Sequence, residues 1–237
     1  MVTADNRDEI LAALGYGDLK VTGRLVDASN ATLFGEITVG HNSFNCIYKP
    51  VTGERPLWDF PDGTLANREY AAYLISEAMQ LNCVPPTLLR EGPFGFGMVQ
   101  QWIEIDGSVD VVQYGQSDDT QLRSLALFDA IINNTDRKFG HLLIDENGKL
   151  RGCDHGVCFH QEDKLRTVLW QFSDLSFSQQ EIKLIDQVEA LNLEEMLGNL
   201  LTKQEIAAIR MRIKNLKDSN KFPLPSDQWP AVPWPPV

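Results

Sequence analysis

The sequence has no apolar run long enough to cross a bilayer as a helix, which argues against integral membrane association. Its first residues, MVTADNRDEILAALGYG, lack the basic, apolar and small-residue zones of a secretory signal. Cysteine is scarce. Four thiols, at 46, 83, 153 and 158, without a secretory context predict reduced cytoplasmic cysteines rather than a disulfide frame. Positive charge is short too: 21 Lys and Arg against 33 Asp and Glu leave a net charge of −12. Such a field repels nucleic-acid backbones and anionic membrane surfaces, so neither is an expected partner. Hydrolase signatures are also missing: no G-x-S-x-G, no H-E-x-x-H and no Walker lysine loop occurs.

What is present reads as an ordered globule, with 43% hydrophobic and 23% charged residues in 237. Residues 7–14 suit a short helix. Strand-like alternation follows over 19–27, 32–40 and 44–50, broken by turn residues at ASN and HNS. Thr64 is placed to cap a helix over 65–79, and two further strand-like runs cover 86–94 and 95–105. The glycines of GPFGFG have no helix behind them, so a hairpin turn suits them better than a phosphate loop. From Ser117 the texture is helical, with apolar residues at 122, 125, 128 and 132. A hairpin turning on Asn147-Gly148 interrupts it, and two helices, over 178–192 and 202–217, precede a proline-rich tail. Strands first and helices later predict an α+β fold of two lobes, mainly β over 1–103 and mainly α over 104–237.

The hairpin gathers chemistry. A two-residue turn at Asn147-Gly148 would pair residues whose numbers sum to 295, setting His141 opposite Asp154, with Asp136 close by in sequence. Acids beside a histidine can hold a divalent cation and orient a hydroxyl. Asp and Asn are equally common turn formers, so this pattern alone leaves both readings open. Lys49 ends the apolar run FNCIYKP and needs an anion there. Glu69 shares a helix face with Leu65, Ala72 and Met79 and is the economical partner, a snorkelling lysine beside a solvated glutamate being the alternative.

The order of a strand lysine, a helix glutamate, the loop NTDR, a hairpin and DHG resembles the phosphatidylinositol 3-/4-kinase-like, HipA-related branch of the protein-kinase-like fold. Within it the chain is similar to a small actinobacterial phosphatidylinositol-kinase-like family. That similarity runs through GRLVDASNATLFGEI, IYKPVTGERPLWDFP, NREYAAYLI and DAIINNTDRKFGHLLI to CDHGVCFHQEDKLRTVLW, most of residues 20–172. The resemblance implies an ATP- and Mg2+- or Mn2+-dependent kinase acting on a soluble protein or small-molecule hydroxyl. It implies that Lys49 contacts phosphates and pairs with Glu69, and that Ser29, Asn30 and Thr32 cover the phosphates. The stretch from Met98 through Gln100 and Gln101 to Trp102 would be the hinge whose backbone meets adenine. Asp136 would be the catalytic aspartate and Asp154 a metal ligand, while Arg137 would steady either a phosphate or the loop itself. The wider superfamily places asparagine as second metal ligand where this chain has His141. That substitution motivates the alternative of a nucleotide-binding pseudokinase with a regulatory role.

Other features are weaker signals. Cys153, His155, Cys158 and His160 crowd one stretch, but structural zinc sites draw ligand pairs from separate segments, so zinc fits poorly. Lys164 and Arg166 suit an anionic substrate or simply a solvated segment. The tail either packs across the chain's own helical lobe, the arrangement its two tryptophans favour, or serves a protein partner's aromatic groove.

Overall fold

Alternating apolar residues in the first half of the chain become an antiparallel sheet, with one helix before its first strand and another between its third and fourth. The computed structural model describes residues 7–25 and 30–237. Helix α1 (Arg7–Tyr16) leads into β1 (Asp18–Arg24), β2 (Leu33–Val39) and β3 (Asn42–Pro50), followed by α2 (Leu65–Ala78), β4 (Thr87–Gly92) and β5 (Gly95–Gln101). The five strands lie in the order β1-β2-β3-β5-β4, with every pairing antiparallel and an irregularity between Val21 and Gly23. GPFGFG is the expected hairpin turn, with Gly92 opposite Gly95.

Two separate cores define two lobes. Ile10 and Leu14 of α1 pack with Leu19, Ile37, Tyr48 and Val99 of the sheet. The larger core is helical: α3 (Val111–Gly115), α4 (Thr120–Ile132), α5 (Gln179–Glu189), α6 (Leu193–Leu197) and α7 (Lys203–Ser219) surround it. The predicted stripe on α4, Leu122, Leu125, Phe128 and Ile132, is wholly buried there. Helix α2, encoded among the strands, adds Ala71, Ala72, Ile75 and Met79 to this second core while also packing on β4 and β5, so it bridges the two lobes. Mainly β first and mainly α later is therefore the observed α+β architecture.

Helix ends explain much of the local order. Asp119 caps α4 by accepting from Gln121 N at 2.7 Å, and Asn133 ends it in a left-handed conformation at φ 53°. Ser178 with Glu181 and Thr202 with Glu205 form reciprocal capping boxes on α5 and α7. Thr64 does not cap α2, because its backbone is already helical and its hydroxyl donates to Pro61 O. The carboxylate of Glu54 does so instead, accepting from Leu65 N at 3.1 Å and Ala66 N at 2.8 Å.

The hairpin β6 (Leu142–Ile144) and β7 (Leu150–Gly152) corrects the expected register by one residue: Leu143 faces Arg151 and Ile144 faces Leu150. Asp145 causes the shift. Its side chain accepts from Asn147 N and Lys149 N, Gly148 N donates to Asp145 O, and Gly148 takes the left-handed position at φ 73°. The turn is one residue longer than a two-residue loop.

The tail lies on the chain's own body. Thr167 N and Trp170 Nε1 donate to Ala231 O at 3.0 and 2.8 Å, and Phe139 N donates to Pro236 O at 2.9 Å. Trp229 covers the Lys164 ammonium at 4.4 Å, whereas Trp234 remains 86% exposed, so only one of the two tryptophans docks. Glu54→Ala removes the acceptor for two α2 amides and is expected to cost about 1 kcal/mol. Urea denaturation should show a lower midpoint with an unchanged slope.

Candidate active site

Strand β3 delivers Lys49 to the underside of the sheet, where α2 faces it. Lys49 Nζ donates to Glu69 Oε1 at 2.5 Å and to Asp154 Oδ1 at 2.9 Å. Burial works against the lysine's charge, but Asp154 and Glu69 outweigh it and hold the ammonium above its ordinary value. In return, Lys49 holds the Asp154 carboxyl well below the ordinary carboxylate range. The second oxygen of Glu69 accepts from His155 N at 2.9 Å, so one buried carboxylate ties the strand lysine to the loop that carries Asp154. Asp154 itself adopts φ 60°, a left-handed conformation that Asp tolerates better than most residues.

Arg137 holds the other side of this loop. It is 0% exposed, and its Nε and Nη2 each reach Asp129 at 2.9 Å. Its Nη1 donates to Cys153 O at 2.9 Å, and its Nη2 lies 2.7 Å from His155 Nε2. The guanidinium must donate there, so His155 presents a lone pair at Nε2, and burial keeps its ring neutral. Of the two roles left open for Arg137, steadying the loop is the one its position serves. No face of the guanidinium is open to a phosphate.

Asp136 precedes this anchor and is half-buried, with its amide donating to Asn134 Oδ1 at 2.9 Å. Burial raises its carboxyl above the ordinary value, while Lys138, 3.6 Å from Oδ2, and Arg166 pull the other way. A carboxylate with raised proton affinity suits a base that must accept a hydroxyl proton.

His141 lies beside Asp154 despite the register shift, with Nε2 at 3.5 Å from Oδ2, because Cys153 N donates to His141 O. Burial depresses its pKa to about 4, so the imidazole is neutral at physiological pH. The ionised, half-exposed Asp154 and this neutral ring are the two side chains here that could hold a divalent cation. Among the described residues, no group of three or more His, Cys, Asp or Glu is placed to hold a metal. Zinc on the cysteine-rich stretch fits no better: burial raises the Cys153 thiol to about 12, and His155 is committed to Arg137.

The remaining expected nucleotide residues divide. Ser29 lies outside the described residues. Asn30 borders the small cavity over Lys49, and its Oδ1 accepts from Arg55 N at 2.8 Å. That bond holds the same loop whose Glu54 caps α2. Thr32 is buried, its amide turned back to Asn30 O. Met98, Gln100 and Gln101 are correctly in the last strand before the helical lobe, but β3 and β4 flank this strand on both sides. Gln101 N donates to Pro86 O and Trp102 N to Asn45 O. Their backbone amides are engaged. The next residues, Ile103 to Ile105, have no backbone partner among the described residues. Trp102 sets its ring edge-on to Phe34 at 5.0 Å.

Sequence reasoning passed over Arg68, Glu54 and Lys138. Arg68 is buried, donates to Cys158 O at 2.8 Å and pairs with Glu205 of α7 at 2.5 Å, which fixes α2 to the helical lobe. No local signal marks it, since a charged residue on a helix is ordinarily solvated.

No protein-family model matches the chain. It is 40% identical over 267 residues to protein Rv2133c of Mycobacterium tuberculosis (strain ATCC 25618 / H37Rv), covering 97% of this chain and 96% of that protein. Among solved structures it is similar to the Golgi casein kinase with Mn/ADP bound. The TM-score is 0.59 at 12% identity, over 90% of this chain and 75% of that one. It is also similar to the Helicobacter pylori proinflammatory kinase CtkA, with a TM-score of 0.51 at 11% identity, over 87% and 94% of the two chains. At such identities the likeness shows the fold, which is protein-kinase-like.

The His141 imidazole should stay neutral down to about pH 4, because burial opposes its protonation. Asp154 favours the protonated ring, so Asp154→Asn should move the midpoint lower still. Histidine ring resonances followed by NMR against pH check both, and a midpoint near the ordinary 6.5 would contradict the burial.

Proposed function

The chain belongs to the family of protein Rv2133c, and we propose that it is an ATP- and divalent-cation-dependent phosphotransferase. The observation that carries this reading is Lys49 bound to both Glu69 and Asp154, with Arg137 beneath the loops that present Asp136 and Asp154. Kinase-like folds use such a lysine to grip phosphates and such a pair of aspartates to place the cation and the acceptor.

In this reading Lys49 binds the nucleotide's phosphates while Glu69 keeps it aimed, and Asn30 and Thr32, with Ser29, cover them. The backbone of Ile103 to Ile105 meets the base, and Trp102 stands beside it. Asp154, with His141, holds the cation, which when bound neutralises phosphate charge. Asp136 orients the acceptor hydroxyl and takes its proton as the new O–P bond forms and the bond from the γ-phosphorus to the ADP oxygen breaks. The Lys49–Asp154 contact is the one that must loosen for phosphate and cation to enter.

The nucleotide would lie between lobes divided near residues 103 and 104, and the order of the motifs favours the phosphatidylinositol-kinase-like, HipA-related branch. Four unpaired cysteines support a cytoplasmic setting. A net charge of −12 favours a soluble acceptor over one embedded in a bilayer. One observation favours a second reading, a nucleotide-binding pseudokinase: a neutral imidazole faces Asp154 where a second oxygen ligand would serve magnesium better.

Melting temperature with ATP and Mg2+ or Mn2+ tests both readings. Wild type should be stabilised by nucleotide with metal, and Asp154→Asn should lose most of that shift. Asp136→Ala should keep the shift but lose transfer of the γ-phosphoryl group by roughly 100-fold or more. A shift without transfer by wild type selects the pseudokinase, and no shift at all overturns both.

A further inference from the structure

The activation-side segment after Asp154 contains two cations, and the structure treats them differently. Lys164 is sealed: its Nζ reaches Asp59 at 3.2 Å and Glu162 at 3.3 Å, and the rings of Trp58 and Trp229 lie over it. Arg166 is unspent. Its guanidinium has no hydrogen-bond or ion-pair partner among the described residues, and its Nε is buried without an acceptor. Arg137 with Asp129, Arg68 with Glu205 and Arg212 with Asp163 each have an ion-pair partner, although Arg212 too keeps one buried nitrogen, Nη2, without an acceptor. Leaving such a donor out of water without an acceptor is costly unless a ligand supplies one.

The backbone fixes where Arg166 stands. Arg166 N donates to Asn134 O at 3.0 Å, and Arg137 N donates to Arg166 O at 3.1 Å, so the residue straddles Asp136. Its charge reaches the Asp136 carboxyl, as does that of Lys138. Two cations thus face the position assigned to the acceptor hydroxyl, in a chain whose overall charge is strongly negative. The neighbouring main-chain donors are already taken. The tail carbonyls of Ala231 and Pro236 accept from Thr167 N and Phe139 N, on either side of the same loop. An extended peptide acceptor would need those donors to add itself as a strand.

We propose that the phosphoacceptor is a small hydroxyl compound bearing its own oxyanion, which Arg166 grips, while the docked tail occupies the main-chain donors that an extended polypeptide would need. This rests on the phosphotransferase reading for the position of the hydroxyl and adds the class of acceptor. Arg166 is here a specificity residue, and its planar fork suits a phosphate ester or a carboxylate.

Calorimetric titration of the full chain, with Mg2+ and a non-hydrolysable ATP analogue and again without nucleotide, tests the proposal. The probes are sn-glycerol 3-phosphate, D-glycerate, neutral glycerol and an acidic serine-containing peptide. Either or both anions should bind at least tenfold more tightly than glycerol, and the pair separates phosphate from carboxylate preference. Arg166→Gln should lose that tenfold, and Arg166→Lys, which keeps charge and stem, should lose less. Should the glutamine variant fail to fold, the anion-to-glycerol ratio in wild type and the lysine variant decides. Equal binding of glycerol and its anions, no anion binding, unchanged anion affinity in Arg166→Gln, or firm binding of the peptide would each overturn the proposal. Stabilisation by the ATP analogue is recorded separately. Its absence sinks the phosphotransferase reading, while the anion preference is still read from the nucleotide-free titration.

Discussion

A single buried guanidinium carries the architecture of the cleft. Arg137 joins Asp129 on α4, the Cys153 carbonyl at the end of the hairpin and the His155 ring after it. Helix α4 and the loop that carries Asp154 are thereby fixed to one planar group whose geometry allows little slack. Asp136 is the residue just before this group, and Asp154 lies between the two loop atoms it binds. The spacing of the two acids follows from one ion pair that never meets solvent. Removing either partner of such a pair leaves a buried charge uncompensated, at a cost of about 3–5 kcal/mol.

The second constraint is the placement of α2. This helix packs on both the sheet and the helical core, and Arg68 ties it to Glu205 and to the Cys158 carbonyl. The adjacent Glu69 points into the cleft and binds both Lys49 and the His155 amide. Neighbouring residues on one helix therefore face different tasks, one fixing the helix and one aiming the lysine. Glu54 completes the arrangement at the helix's first turn, and Asn30 holds the loop that carries it. Hydrogen bonds thus link Asn30, the loop at Arg55 and the first turn of the helix that carries Glu69.

Much of this was legible in the sequence, where a periodicity or a turn residue stood for a local cause. The strands, the stripe on α4 and the Lys49–Glu69 pair followed from alternation, spacing and the need of a buried cation for an anion. The errors arose where a side chain competed with the backbone rule. Asp145 captured two amides and lengthened the hairpin turn by one residue, and Glu54 displaced Thr64 as the cap of α2. Which amides stay free past β5 was not legible, because strand pairing, not strand propensity, decides it. Ile103 to Ile105 carry no special composition that would announce this. Arg68 looks like a surface residue to any local reading, since Cys158 and Glu205 lie far along the chain.

The left-handed backbone at Asp154 has a consequence for how this lineage can drift. Few side chains accept that conformation, chiefly glycine, asparagine and aspartate, and only the last carries charge. The substitutions that the fold tolerates most easily at this position are therefore those that abolish the anion. Descendants that lose the chemistry would keep an intact scaffold, with Arg137 still holding its loops. In the phosphotransferase reading, such a site could pass from catalyst to sensor by one residue, without an unfolded intermediate in its history.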